Sequence, residues 1–172
     1  QACVKDNKDT NTLIQQLVQA TAQQGTSSID YNSWPLDLLA DYVEKKHHRF
    51  VETKIQEILP YLDKITRVHG GHHPELEEVN QLFKESAGEL TKHMKKEELI
   101  LFPFIRKMVK AQQSGEAAQA PFGTVQNPIS AMMQEHDTEG ERFRQIAELT
   151  HNYTTPEDGC NTYNVTLSLL KE

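Results

Sequence analysis

Apolar residues recur every three or four positions in four separate stretches of the chain, and each stretch reads as an amphipathic helix. The first carries Leu36, Leu39, Val43, His47, Phe50 or Val51, Ile55 and Ile58, which predicts a helix from about Pro35 to about Asp63. Ser33 is placed to cap it, with Pro35 in the first turn, where a missing N–H costs little. The second carries Leu76, Val79, Phe83, Leu90, His93, Glu97 and Leu101, predicting a helix from about Pro74 to about Gln112. Pro103 lies inside that pattern and predicts a kink or short break. The third, from Pro128 to about Asn152 with Asn127 as cap, carries Ile129, Met132 or Met133, His136, Gly140, Phe143 and Ile146 or Ala147. A fourth follows the turn TTPEDG, with Tyr163, Leu167 and Leu170 at helical spacing up to Glu172.

The segment before Pro35 is different. Leu13, Ile14, Leu17 and Val18 form one modest helical pattern among many glutamines, and GTSSIDYNSWP has the composition of a linker. The expected organisation is a helical remnant and linker over 1–30, then a bundle over 31–172. The expected fold is all-α: an antiparallel up-down four-helix bundle with a shortened fourth helix. Sparse, clustered Pro and Gly and few aromatics suit it.

Polar residues interrupt the apolar stripes at matching places. Three helices each set a histidine near mid-helix on the buried face: His47, His93 and His136. Glu97 stands one turn beyond His93 on the same side. A single histidine on such a stripe is ordinary. Several imidazoles and a carboxylate converging on one interior carry a desolvation cost that a metal ion directly offsets. Imidazole and carboxylate without thiolate suit iron, manganese or zinc. Two-metal bundles pair Glu and His about one turn apart, as at 93 and 97. Glu89 and Glu135 are candidates to orient a ligand or carry protons, or are simply solvated. His48 points about 100° away from His47 and reads as solvated or as support for its neighbour. A hydrogen-bonded core without metal is the bland alternative.

Composition narrows the classes further. At 37% hydrophobic and 25% charged residues the chain reads as globular, and a net charge of −7 argues against a nucleic-acid binder. The local run of Lys92, Lys95, Lys96, Arg106, Lys107 and Lys110 reads as a solvated face. No stretch approaches the roughly 20 apolar residues of a membrane span. Two cysteines, Cys3 and Cys160, are too few for a disulfide framework and leave a reducing, cytoplasmic setting as the default.

HHRFV (47–51), HGGHHPEL (69–76), HMKKEELILFP (93–103) and NPISAMMQEHDTEG (127–140) together resemble the repair-of-iron-centres (RIC/ScdA-like) family of hemerythrin-like di-iron proteins. The resemblance covers about 30–172. It implies repair of iron–sulfur clusters damaged by nitrosative or oxidative stress, with damaged iron–sulfur proteins as clients and nitric oxide or dioxygen as small ligands. His47, His93, Glu97 and His136 match four of the family's iron ligands, Glu97 being the bridge between two irons. The pattern also puts a His and a second bridging Glu on the fourth helix, and the sequence reaches Glu172 before such a pair. The chain is therefore expected to be clipped at both ends, with zinc, manganese or partial occupancy as alternatives to two irons. A homodimer, and a sensor of dioxygen or nitric oxide without repair activity, are open expectations.

Overall fold

The computed structural model describes residues 29–115, 124 and 126–172. The expected helix over the first residues, and Cys3, lie outside them. Residues 29–34 belong to a first unit, Gln1–Trp34, and form a single 3-10 turn, Tyr31–Ser33, in which Asp30 accepts from the Asn32 N–H at 3.1 Å. The Ser33 hydroxyl donates to the Asp30 carbonyl and caps no helix. In the second unit, Pro35–Glu172, every regular element among the described residues is a helix.

Four rods build it. The first, 36–69, joins α1 (Leu36–Tyr42) to α2 (Arg49–His69) through a π-helical turn at Val43–His48. The second, 75–114, joins α3 (Glu75–Lys96) to α4 (Phe102–Ser114) through a π-helical turn at Glu97–Leu101. The third is α5 (Gln126–Leu149) and the fourth α6 (Asn161–Lys171). α2 packs on α3 and α6, α3 on α5, and α1 on α4. The short connection 70–74 sets the first two rods side by side and antiparallel, and the four rods form the up-down four-helix bundle.

The break expected at Pro103 takes the form of the second π turn. A proline there cannot donate to the carbonyl of Leu99, and its ring would collide with it. The Phe102 N–H instead reaches back five residues to the Glu97 carbonyl. No proline accompanies the first π turn. α2 runs on past Asp63 to His69 with Pro60 inside it, because Ile58, Leu62 and Ile65 are buried around that proline and packing outweighs its roughly 3 kcal/mol cost. α4 ends on Gly115, whose φ of 73° is the left-handed cap that glycine adopts freely.

Two separate cores result. The larger contains Ile58, Leu62, Ile65, Leu76, Val79, Phe83, Ile146, Tyr163, Leu167 and Leu170. The smaller gathers Ala40, Leu101 and Phe102, with Val43, Ile105 and Met132 against them. Ala40, rather than Leu36, faces that core; Leu36 is exposed. Both π turns lie where one core gives way to the other.

Candidate metal centre

The site begins with the two π turns. An α-helix advances about 100° per residue and a π turn holds one residue more, so the face beyond it is shifted by about one position. The shift at Val43–His48 turns His48 inward and leaves His47 outside. His48 is 5% exposed, stacked on Phe102 with ring centroids 5.6 Å apart. His47 is exposed and meets only the edge of Tyr42 among ring contacts, at 5.2 Å. The helical period alone had placed His47 in the core; the structure does not bring it to the others. One pattern pointed to His48: it lies three residues before Val51 and continues the clean inward run Val51, Ile55, Ile58, Leu62, Ile65.

The second π turn starts at Glu97, whose side chain is 12% exposed and lies between two imidazoles. Its Oε2 is 3.0 Å from His48 Nε2 and 3.5 Å from His93 Nε2. From α5 the ring of His136 reaches that of His93 edge-on, 4.6 Å between centroids. His93, Glu97 and His136 each offer a ligand atom, all within 4.8 Å of one another. His136 stays exposed, so the group is open on one side. A cleft of about 380 Å³ adjoins it, lined by Glu89, Leu90, His93, Glu135, His136 and Arg142 among others.

Each inward imidazole is held at Nδ1 by a carboxylate. His93 Nδ1 donates to Glu135 at 2.7 Å, and Lys96 braces that carboxylate from outside. His48 Nδ1 lies 3.1 Å from Glu98, which Lys95 and Arg49 also hold. Both Nε2 atoms are thereby aimed at Glu97. Of the two glutamates expected to orient a ligand, carry protons or be solvated, Glu135 contacts His93 Nδ1, whereas Glu89 lines the cleft and pairs with Lys92 at 2.8 Å. Glu98 was missed by sequence reasoning, since it follows Glu97 in a run that reads as solvated.

The electrostatics match this geometry. Glu97, then Glu135, raise the His93 imidazole above its ordinary value against the opposing effect of burial. Burial raises the Glu97 carboxyl, but His93 and His48 more than offset it and hold it below the usual range. Lys96, then His93, lower Glu135.

These donors fit a cation. His93 Nε2 is buried with no hydrogen-bond partner, a costly state for a polar atom. With Nδ1 of His48 donating to Glu98, its Nε2 lone pair faces a carboxylate oxygen, a contact that asks for a proton or a metal between them. Nitrogen and carboxylate donors without sulfur suit iron, manganese or zinc.

Comparisons with known proteins agree. The hemerythrin HHE cation binding domain matches residues 39–172. The chain is similar to the iron-sulfur cluster repair protein YtfE of Yersinia pseudotuberculosis, at 32% identity over 178 residues, covering 99% of this chain and 72% of that protein. It is similar also to the iron-sulfur cluster repair protein ScdA of Staphylococcus epidermidis, at 26% identity over 167 residues, covering 97% and 71%. No helix among the described residues is long and apolar enough to cross a membrane.

Proposed function

The chain belongs to the hemerythrin HHE cation-binding family, and from that premise we propose that it is a non-haem iron protein that repairs iron–sulfur clusters damaged by nitrosative or oxidative stress. The observation that carries the metal part is the convergence of His93, Glu97 and His136, with the buried Nε2 of His93, which makes no hydrogen bond and stands 3.5 Å from Glu97, among them. The repair part rests on the two relatives named for it. His48, His93, Glu97 and His136 would hold the metal. His48 is proposed in place of His47 because it is the buried one and already contacts Glu97.

Bound iron would supply redox chemistry and a metal to deliver to a damaged cluster; the position of Glu97 between imidazoles from two helices suits a second ion as well. The residues of the chain do the rest. Glu135 and Glu98 fix the two rings so that Nε2, not Nδ1, faces inward. Phe102 shields His48 from one side, and the cleft leaves His136 and His93 reachable from the other. A small ligand such as nitric oxide or dioxygen enters there; a client protein meets the exposed His136 edge. The proposed setting is the cytoplasm, where reduced clusters are exposed to such damage.

The test is reactivation of an iron–sulfur enzyme inactivated by nitric oxide, using purified protein of measured iron content and a His93→Ala control. Reactivation by the parent protein and its loss in the variant is the expected result. Iron binding without reactivation would favour a sensor of nitric oxide or dioxygen, and equal reactivation by both proteins would overturn the proposed site.

A further inference from the structure

Away from the metal centre, several groups with chemistry of their own meet around the start of α6. Cys160 is the residue before that helix and is exposed. His69, the last residue of α2, puts its Nε2 3.2 Å from the Cys160 Sγ. The ring of His69 is in turn held edge-on against buried Tyr163, centroids 5.3 Å apart. His73 packs on the same tyrosine, at 5.6 Å, and is fixed between Glu75 and Asp158, each at 2.9 Å. The turn that delivers Cys160 is tight: the Gly159 N–H bonds the Pro156 carbonyl at 2.9 Å. A Cβ at Gly159 would come within 2.6 Å of Thr155 Cγ2 and 2.9 Å of the Pro156 oxygen, so only glycine fits. A nucleophile, a base within hydrogen-bond reach, and a third group that orients the base make an activated nucleophile.

We propose that Cys160 and His69 form a reactive thiolate–imidazole pair, a site of reversible modification by small-molecule disulfides that is separate from the metal centre. The Cys160 Sγ attacks one sulfur of the disulfide and forms a mixed disulfide. The original S–S bond breaks, and its electron pair leaves with the departing thiolate, which takes a proton from His69 Nε2–H or from water. The disulfide is reduced as Cys160 is oxidised, and a free thiol reverses the step. The contact with His69 first, and the backbone N–H groups of Tyr163 and Thr162 after it, lower the thiol to about 7 from the ordinary 9.0. The other titratable groups around the pair are Lys64, which reaches Thr162, His72, His73, Glu75 and Asp158.

The experiment follows the rate of reaction of the iron-loaded protein with a chromogenic aromatic disulfide across pH. Cys3→Ser is the background, so that only Cys160 reports. Near pH 7 about half of Cys160 is thiolate, against roughly 1% at an ordinary thiol; the lower nucleophilicity of the less basic thiolate offsets part of that roughly 50-fold difference. His69→Asn is expected to slow the reaction about 2- to 5-fold near pH 7 and to speed it in strong alkali, where both forms are ionised. Cys160→Ser added to the background should abolish the reaction. Because His69→Asn could disturb the end of α2, the thiolate absorbance of the Cys3→Ser protein is titrated as well, with the double serine variant subtracted. A midpoint near neutrality supports the pair. A midpoint of an ordinary thiol, or pH–rate profiles that do not cross in a folded His69→Asn protein, would overturn it.

Discussion

Replacing His48 and His47 in turn separates two neighbours that the helical period alone ranks in the opposite order to the structure. His48→Ala removes a buried ring contacted by two carboxylates, at 3.0 Å for Glu97 and 3.1 Å for Glu98. Glu97 and Glu98 are 12% and 10% exposed, so water can replace little of what they lose. Hydrogen bonds to charged groups contribute about 1.5–3 kcal/mol each, and breaking a buried pair costs about 3–5 kcal/mol. Because the two contacts share one ring and are not additive, the expected cost is about 2–4 kcal/mol in metal-free protein. For a chain of this size that lowers Tm by roughly 6–14 °C. His47→Ala gives up one edge contact with Tyr42 at the surface and should change stability by under about 0.5 kcal/mol. The assay is urea or thermal unfolding of chelator-treated protein, with iron per chain measured in parallel after reloading. His48→Ala should lose both stability and iron, and His47→Ala neither. Equal losses in the two variants, or iron lost only with His47→Ala, would refute the inward placement of His48 and the role given to the first π turn.

Glu135→Gln keeps the shape but weakens the acceptor for His93 Nδ1–H, and iron affinity should fall by about 10–100-fold in chelator competition, with little change in metal-free stability. Ser86→Ala strips the buried carboxylate of Glu139 of a donor at 2.6 Å, and denaturant unfolding should show a loss of about 1.5–3 kcal/mol. The His73 imidazole is raised by Asp158, then Glu75, above the ordinary 6.5. Its contribution is therefore complete below about pH 6.5 and disappears as pH rises through the raised folded value. His73→Gln should lower Tm clearly near pH 6 and hardly at all near pH 9; a pH-independent loss would contradict the linkage.

Much of this fold was legible as periodicity. The run Leu76, Val79, Phe83 is spaced as an α-helix demands, and all three are buried. The same arithmetic placed His93 inward because no irregularity lies between Phe83 and His93. It missed His48 because a π turn intervenes after Tyr42, and no residue type there announces one. The break near Pro103 could be foreseen, since proline removes a specific bond, but not its form. Glu98 and the thiol pair were not legible for another reason. Glu98 lies 50 residues from His48 in sequence, and Cys160 lies 91 from His69, so only the assembled bundle brings either pair together.

The two π turns have an effect on the rods themselves. A continuous α-helix obliges every buried residue along it to keep one phase, so a change at one end constrains the other. Here the first and second rods each carry a phase adjuster part-way along, between the Leu62–Leu76–Ile146 core and the Ala40–Leu101–Phe102 core. The stripe at one end is thus released from the register of the other, much as a coupling joins two shafts that are out of line. Amide exchange should therefore resolve two protection domains along each of these two rods, with the seam at the level of His48 and Glu97.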